Sequence, residues 1–212
     1  MGKIIITGGE GKLAKKFKQA YGDLVLNPSK QELNLLDSKS IIDYYNSNNE
    51  DIDGLVLNAT LYPSNFDRFQ KFFDVDILNE FIDSFKLVAV GNQQLINLYK
   101  DKIKYVVNVS SGITFNKKPL GIHFGYKLQK TISNFIIEEY AIREQYSHIK
   151  FITLNPSHME ADEHYEKESK LLYDIIQNID QFKNGEEYFP WNGVIHDINK
   201  ETTIILNGQN KD

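Results

Sequence analysis

Short apolar runs and amphipathic stretches alternate along this chain. Ile4-Ile5-Ile6 is the first run, and Leu13, Phe17 and Ala20 then recur at helical spacing. Leu24-Val25-Leu26 is the second run, ended by Asn27-Pro28-Ser29. Ser38 is placed to cap a helix carrying Ile41, Ile42 and Tyr45. Gly54-Leu55-Val56-Leu57-Asn58, Tyr105-Val106-Val107-Asn108-Val109 and Phe151-Ile152-Thr153-Leu154 predict further strands, the last closed by Pro156. Between them Ile77, Phe81, Ser84, Val88, Gly91, Leu95 and Leu98 form one helical stripe. Leu128, Ile132, Phe135, Ile136 and Tyr140 form another. The strands are apolar on both faces, which suits a parallel sheet covered by helices on both sides. The pattern predicts an α/β protein with a doubly wound parallel sheet.

The pattern changes past Pro156. Residues 158–170 are charged, and Leu172, Ile175, Ile176 and Ile179 predict one short amphipathic helix. Pro190-Trp191-Asn192-Gly193 reads as a turn and Thr203 to Gly208 as a last strand. Residues 61–74 read as a phenylalanine-rich connection whose rings pack. With no linker or repeat, residues 1–212 read as a single domain, with 157–200 as a lid over a substrate.

Composition removes several function classes. A formal charge of −5 leaves no basic footprint for nucleic acid. The absence of cysteine excludes disulfides, thiol catalysis and cysteine metal sites, and fits a cytoplasmic protein. No uncharged apolar run approaches the ~20 residues of a membrane span. Lys3 to Thr7 reaches Gly8 too soon for a signal-peptide core, so none is expected. His123, His148, His158, His164 and His196 are scattered without zinc spacing, so no metal site is expected. His158 and Glu160 read as polar lid residues.

Three features carry chemistry. The first is Thr7-Gly8-Gly9-Glu10-Gly11-Lys12-Leu13-Ala14, directly after a strand. A phosphate approaches backbone only where side chains are missing, and a helix N-terminus supplies free N–H groups and a positive dipole end. Gly8 permits the tight turn, Gly11 the approach of a pyrophosphate, and Ala14 close packing on the strand. The second is Asn108-Val109-Ser110-Ser111 at a strand's C-terminal end, where open α/β sheets bind ligands. A serine there serves equally as a turn residue. The third is Tyr126 and Lys130, four residues apart and so on one helical face. Free tyrosine titrates near ~10, and a neighbouring ammonium favours its phenolate. Spacing alone does not separate this pair from a packed tyrosine beside a solvated lysine.

The order of these features resembles the short-chain dehydrogenase/reductase family over nearly the whole chain. The glycine loop resembles that of the extended, dehydrorhamnose-reductase-like branch, with Ala14 in place of the last glycine. Leu33-Asn34-Leu35-Leu36-Asp37 resembles that branch's segment after the second strand. Asn58-Ala59-Thr60 resembles the segment lining the cofactor, Asn155-Pro156-Ser157 the loop beside the nicotinamide, and Leu206-Asn207-Gly208 the end of the last strand. The resemblance implies a Rossmann fold and hydride transfer between a nicotinamide cofactor and a small carbonyl or alcohol. It implies Ser111, Tyr126 and Lys130 as catalytic residues, with Ser110 as the fallback for Ser111. For the cofactor it implies Gly8, Gly11, Lys12, Leu13, Asn34, Leu35, Asn58, Ala59, Thr60, Tyr126, Lys130 and Pro156. Helices matching 77–98 and 126–142 pair across a two-fold axis in many members, so a homodimer is expected.

The chain departs from the family in three places. Val88 stands where counting back from Gly91 places an asparagine of the proton relay. Ser157 replaces a glycine. The stretch after Pro156 is short for an extended member, which disfavours a large sugar-nucleotide substrate. No acid follows Leu26 to bind a ribose 2′-hydroxyl, and Ser29 and Lys30 are placed for a 2′-phosphate, so NADP is expected over NAD. The alternatives are a sugar-nucleotide reductase or epimerase, and a cofactor-binding regulator without turnover.

Overall fold

The structure, a computed structural model, describes residues 2–48, 51–61, 75–115, 124–156, 161–191, 194–197 and 203–204. One sheet runs through it in the order β2-β1-β3-β4-β5-β6-β7-β8. The strands are β1 (Lys3–Ile6), β2 (Val25–Leu26), β3 (Ile52–Leu57), β4 (Tyr105–Val109), β5 (Lys150–Leu154), β6 (Glu187–Trp191), β7 (Val194–Asp197) and β8 (Thr203–Ile204). From β2 to β6 all pairings are parallel, and β7 and β8 add antiparallel edges. The helices are α1 (Lys12–Tyr21), α2 (Ser38–Ser47), α3 (Val75–Lys86), α4 (Asn92–Tyr99), α5 (Phe124–Ala141) and α6 (Asp162–Gln177). This is the expected doubly wound α/β fold.

Strand alternation divides the core. Ile4, Ile6, Val56, Val107 and Val109 face Leu13 and Phe17 of α1 and Leu172 and Ile175 of α6. Ile5, Leu55, Val106 and Phe151 face Leu95 and Ile96 of α4 and Ile137 and Tyr140 of α5. The chain leaves β1 for β2 on one side and later places β3 on the other. That reversal opens a crevice between the loops after β1 and β3, the place where such sheets bind ligands.

Several local expectations change. Asp37, not Ser38, caps α2, its carboxylate accepting from the Lys39 amide at 2.9 Å. The single stripe of 77–98 is two helices joined by a π-helical segment, Leu87–Gly91. Pro190 and Trp191, read as a turn, end β6 and pair with Ile195 and Val194 of a hairpin that the sequence reading did not contain. In the 157–200 stretch, Leu171, Leu172, Ile175, Ile176, Phe182 and Tyr188 are core residues. Residues 62–74, 157–160 and 205–208 lie outside the described residues, and with them Phe66, Phe69, Phe72, Phe73, Ser157, His158 and Glu160.

Candidate active site

Thr7, fully buried at the end of β1, joins the two loops that flank the crevice. Its hydroxyl accepts from the amides of Asn58 at 3.0 Å and Ala59 at 2.9 Å, and its carbonyl accepts from the Asn58 side chain at 3.1 Å. Gly8 follows at φ +70°, where a Cβ would lie 2.9 Å from the Cα of Ala59, so only glycine fits. Gly11 is the N-cap of α1 and supplies no side-chain cap. The first-turn amides of α1 therefore lack a side-chain acceptor and carry the positive end of the helix dipole. This is a cradle for a phosphate.

A cleft of about 330 Å³ extends from this cradle. It is lined by Gly8, Gly11, Lys12, Leu13, Asn34, Leu35, Asn58, Ala59, Thr60, Tyr126 and Lys130, all expected from the sequence. Lys30, Ser110, Leu87 and Tyr165 also line it. Ser29, Ser111 and Pro156 do not. Ser29 turns away to Glu32, its amide and hydroxyl donating to that carboxylate at 2.7 and 2.8 Å. Pro156 is buried, and its carbonyl accepts from Gly112.

Tyr126 and Lys130 stand one turn apart on α5, with the ammonium 5.8 Å from the centre of the phenol ring. Lys130 is 5 % exposed and donates to the Val109 carbonyl at 2.8 Å. Burial brings its pKa down to about 8. Ser110 and Ser111 differ sharply. The Ser110 hydroxyl is buried and has no hydrogen-bond partner among the described residues. Ser111 is half-buried, its hydroxyl accepts from the Ile113 amide at 3.4 Å, and its carbonyl accepts from the Thr114 hydroxyl at 2.9 Å.

A polar network supports these groups from below. Thr114 donates to Asn155 at 3.3 Å, and Asn155 and Asn134 each donate to the Glu187 carboxylate at 3.0 Å. Asn108 of β4 bonds Asn134, Thr153 and Ser133. Burial pushes the Glu187 carboxyl above the usual range. Beside Lys130, the buried Gln129 accepts from Thr60 at 2.6 Å and donates to the Ser84 carbonyl at 3.3 Å, and Ser84 donates to the Leu61 carbonyl. Val88, at the position counted for the relay asparagine, sits in the apolar core. The polar contact with the post-β3 loop comes instead from Ser84, one turn earlier.

Sequence reasoning missed Gln129, Ser84, Asn155, Glu187, Glu10 and Tyr165. Gln129 adjoins Lys130 and Asn155 opens the Asn155-Pro156-Ser157 segment, but neither position carried a signal for its own role. Glu187 comes close only through the register of β5 and β6. Tyr165 is brought by α6, where Asp162 approaches both Lys12 and Lys16 at 3.9 Å and Glu166 bonds Lys16 at 2.7 Å.

No family model matches the chain, and no curated protein is similar in sequence. Solved structures are similar in fold. An oxidoreductase (short chain dehydrogenase/reductase) from Brucella ovis superposes with a TM-score of 0.70 at 15% identity, covering 90% of this chain and 100% of the other. A Brucella ovis oxidoreductase of the same description, in complex with a partially ordered NAD, also has a TM-score of 0.70 at 15% identity, with 89% and 98% covered. A small-chain dehydrogenase in complex with NADPH has a TM-score of 0.60 at 16% identity, with 84% and 82% covered. The chain has the α/β fold of these short-chain dehydrogenases.

Proposed function

We propose that this protein is a short-chain oxidoreductase that moves a hydride between a nicotinamide dinucleotide and a small carbonyl or alcohol. One observation carries the reading: Tyr126 and Lys130 line the same cleft as the uncapped N-terminus of α1. Similar structures holding NAD and NADPH add support. The residues present fit a dinucleotide. The amides after Gly11 take the pyrophosphate, and Asn58, Ala59 and Thr60 flank the ribose and nicotinamide. When bound, the nicotinamide supplies or accepts the hydride.

The chain's own residues supply the rest. Tyr126 moves the proton to or from the substrate oxygen. Lys130, positive beside the phenol, favours its anionic form and binds the nicotinamide ribose. Ser111, half-exposed at the end of β4, polarises the substrate oxygen. Ser110 has a competing claim because it lines the cleft and its buried hydroxyl has no hydrogen-bond partner among the described residues. Residues 161–165, at the start of α6, cover the cradle as the near part of a lid.

The protein is further proposed to act as a homodimer through α3 and α5. Ile82 and Phe85 on α3, Val90 after it, Phe135 on α5 and Ile142 just after it are exposed apolar residues, 39% to 79% accessible.

The test is direct titration of the protein with NADH and NADPH by nucleotide fluorescence, then a screen of carbonyls and alcohols for oxidation or reduction of the bound nucleotide. Saturable binding with turnover of one substrate class is expected. Absence of binding refutes the reading.

A further inference from the structure

The adenosine end of a dinucleotide in this fold lies at the turn after β2, where an acid accepts from a ribose 2′-hydroxyl or a cation receives a 2′-phosphate. Here that turn is Asn27 to Glu32. Among its donors are the amides of Ser29 and Lys30, the Ser29 hydroxyl and the Lys30 ammonium. Both Ser29 donors already bond the Glu32 carboxylate, at 2.7 and 2.8 Å. The same bonds hold the Glu32 carboxyl below the usual carboxylate range, so it stays charged. The Lys30 amide points at the carboxylate of Glu10, 3.4 Å away.

Glu10 belongs to the glycine loop and lines the cleft. It is exposed, and 3.4 Å is long for an amide–carboxylate bond, which leaves the carboxylate able to accept from a hydroxyl. The loop is fixed against the turn. The Gly9 amide donates to the Pro28 carbonyl at 3.1 Å, and a Cβ on Gly9 would lie 2.0 Å from the Asn27 carbonyl oxygen. Glu10 is thereby carried to the place where a ribose acid usually comes from the end of β2.

We infer that the cleft selects NAD(H) over NADP(H), with Glu10 as the ribose acceptor and Glu32 closing the turn to a 2′-phosphate. The inference rests on the proposed dinucleotide site. A 2′-phosphate in the cleft would meet the Glu10 carboxylate beside Lys30, and would have to displace charge-assisted hydrogen bonds to gain the Ser29 donors. Lys12 offers little relief, because Asp162 approaches its ammonium at 3.9 Å and the Tyr165 ring lies 5.3 Å from it. A ribose diol needs no displacement and donates to Glu10. The structure thus turns Ser29 away from a 2′-phosphate, while Lys30 still lines the cleft.

The experiment is calorimetric titration of the full chain with NADH and NADPH, repeated for Glu10→Gln and for Glu10→Gln with Glu32→Gln. Each variant's melting curve checks its folding. NADH should bind more than about tenfold tighter than NADPH, the size of one hydrogen bond to a charged group. Glu10→Gln should weaken NADH and narrow the ratio, and the double variant should strengthen NADPH. Equal affinities, or tighter NADPH, in the wild type overturn the inference while leaving the dinucleotide site in place. An NADH preference that both variants retain overturns the roles of the two carboxylates. Binding of neither nucleotide overturns the dinucleotide site itself, and this inference with it.

Discussion

Lys130 donates from its ammonium to the Val109 carbonyl across 2.8 Å, which ties α5 to the last residue of β4. The strand end that carries Ser110 and Ser111 and the helix that carries Tyr126 are thus joined through one buried charge. A buried ammonium is costly unless fully hydrogen-bonded, and here one carbonyl partner is seen. The pKa of about 8 records that cost.

The sign of the cost fixes the first prediction. The folded pKa is depressed from 10.5 to about 8, so between those values the unfolded chain binds more protons than the folded one. The penalty is therefore full below pH 8 and fades as pH rises toward 10.5. Lys130→Met removes it but leaves the Val109 carbonyl unpaired. The net gain at pH 7 should be about 1–3 kcal/mol, from ~1.4 kcal/mol per pKa unit less the lost hydrogen bond. Urea unfolding of wild type and variant at pH 7 and pH 10 checks this. A variant less stable at pH 7, or a gain that does not shrink at pH 10, rejects the account. The same variant should lose turnover, since the phenol loses its cation.

Tyr126→Phe removes only a hydroxyl that lines the cleft. Dinucleotide affinity should stay within about twofold, and turnover should fall about 10²–10⁴-fold, the usual worth of general acid–base catalysis. Ser111→Ala should lower turnover more than Ser110→Ala. The reverse order, measured on one substrate in one assay, moves the polarising role to Ser110 and its unpartnered hydroxyl.

Much of the fold was legible because the short continuous apolar runs Ile4 to Ile6 and Gly54 to Leu57, and helical spacing in Leu13 and Phe17, are local signals. The cleft residues after β1 and β3 were legible for a related reason, since glycine and strand-end positions mark backbone geometry. What failed was non-local. Pro190 and Trp191 look like a turn in sequence, yet they extend β6 beyond its pairing with β5, and their partners lie across a hairpin. Past the residues that pair with β5 the strand tolerates proline, which local reading scores as a breaker. Ser29 is the local exception: its spacing to Glu32 is that of a capping box, and the reciprocal bonds between them engage the serine that looked available for a phosphate. Glu10 was read as a loop residue, and its nearness to Lys30 follows only from the packing of Gly9 on Asn27.

The cradle at α1 makes a prediction independent of catalysis. Gly11→Asp would place a carboxylate at the N-cap, where it accepts from the first-turn amides that a phosphate needs. The protein should stay folded, since aspartate is a favoured cap, while affinity for NADH falls by more than about 100-fold through occupancy and like charge. Unchanged affinity in calorimetry would place the pyrophosphate elsewhere.

The apolar face of α3 and α5 makes a prediction about assembly. Phe135 is 60% and Ile142 79% exposed in the single chain. Sedimentation should give a dimer at micromolar concentration, and Phe135→Lys with Ile142→Glu should give a monomer with an unchanged circular dichroism spectrum. A wild-type monomer mass rejects the dimer.

Gln129 decides whether the post-β3 loop is held by α5. Its side chain accepts from Thr60 at 2.6 Å and donates to the Ser84 carbonyl at 3.3 Å, so it bridges the cofactor-lining loop and α3. Thr60 itself lines the cleft. Gln129→Ala removes the acceptor of the exposed Thr60 and the side-chain donor to the carbonyl of the buried Ser84, and should cost about 1–2 kcal/mol. Thr60→Val removes only the first bond, and Gln129→Glu keeps an acceptor for Thr60 while removing the donor to Ser84. If the bridge positions the loop, Thr60→Val and Gln129→Ala should couple by about 1 kcal/mol in a double-mutant cycle of stability. Each should also weaken NADH binding a few-fold, and Gln129→Glu should recover most of that affinity. Additive effects on stability, or a Gln129→Ala protein with wild-type affinity, would reduce Gln129 to a residue that fills space beside Lys130.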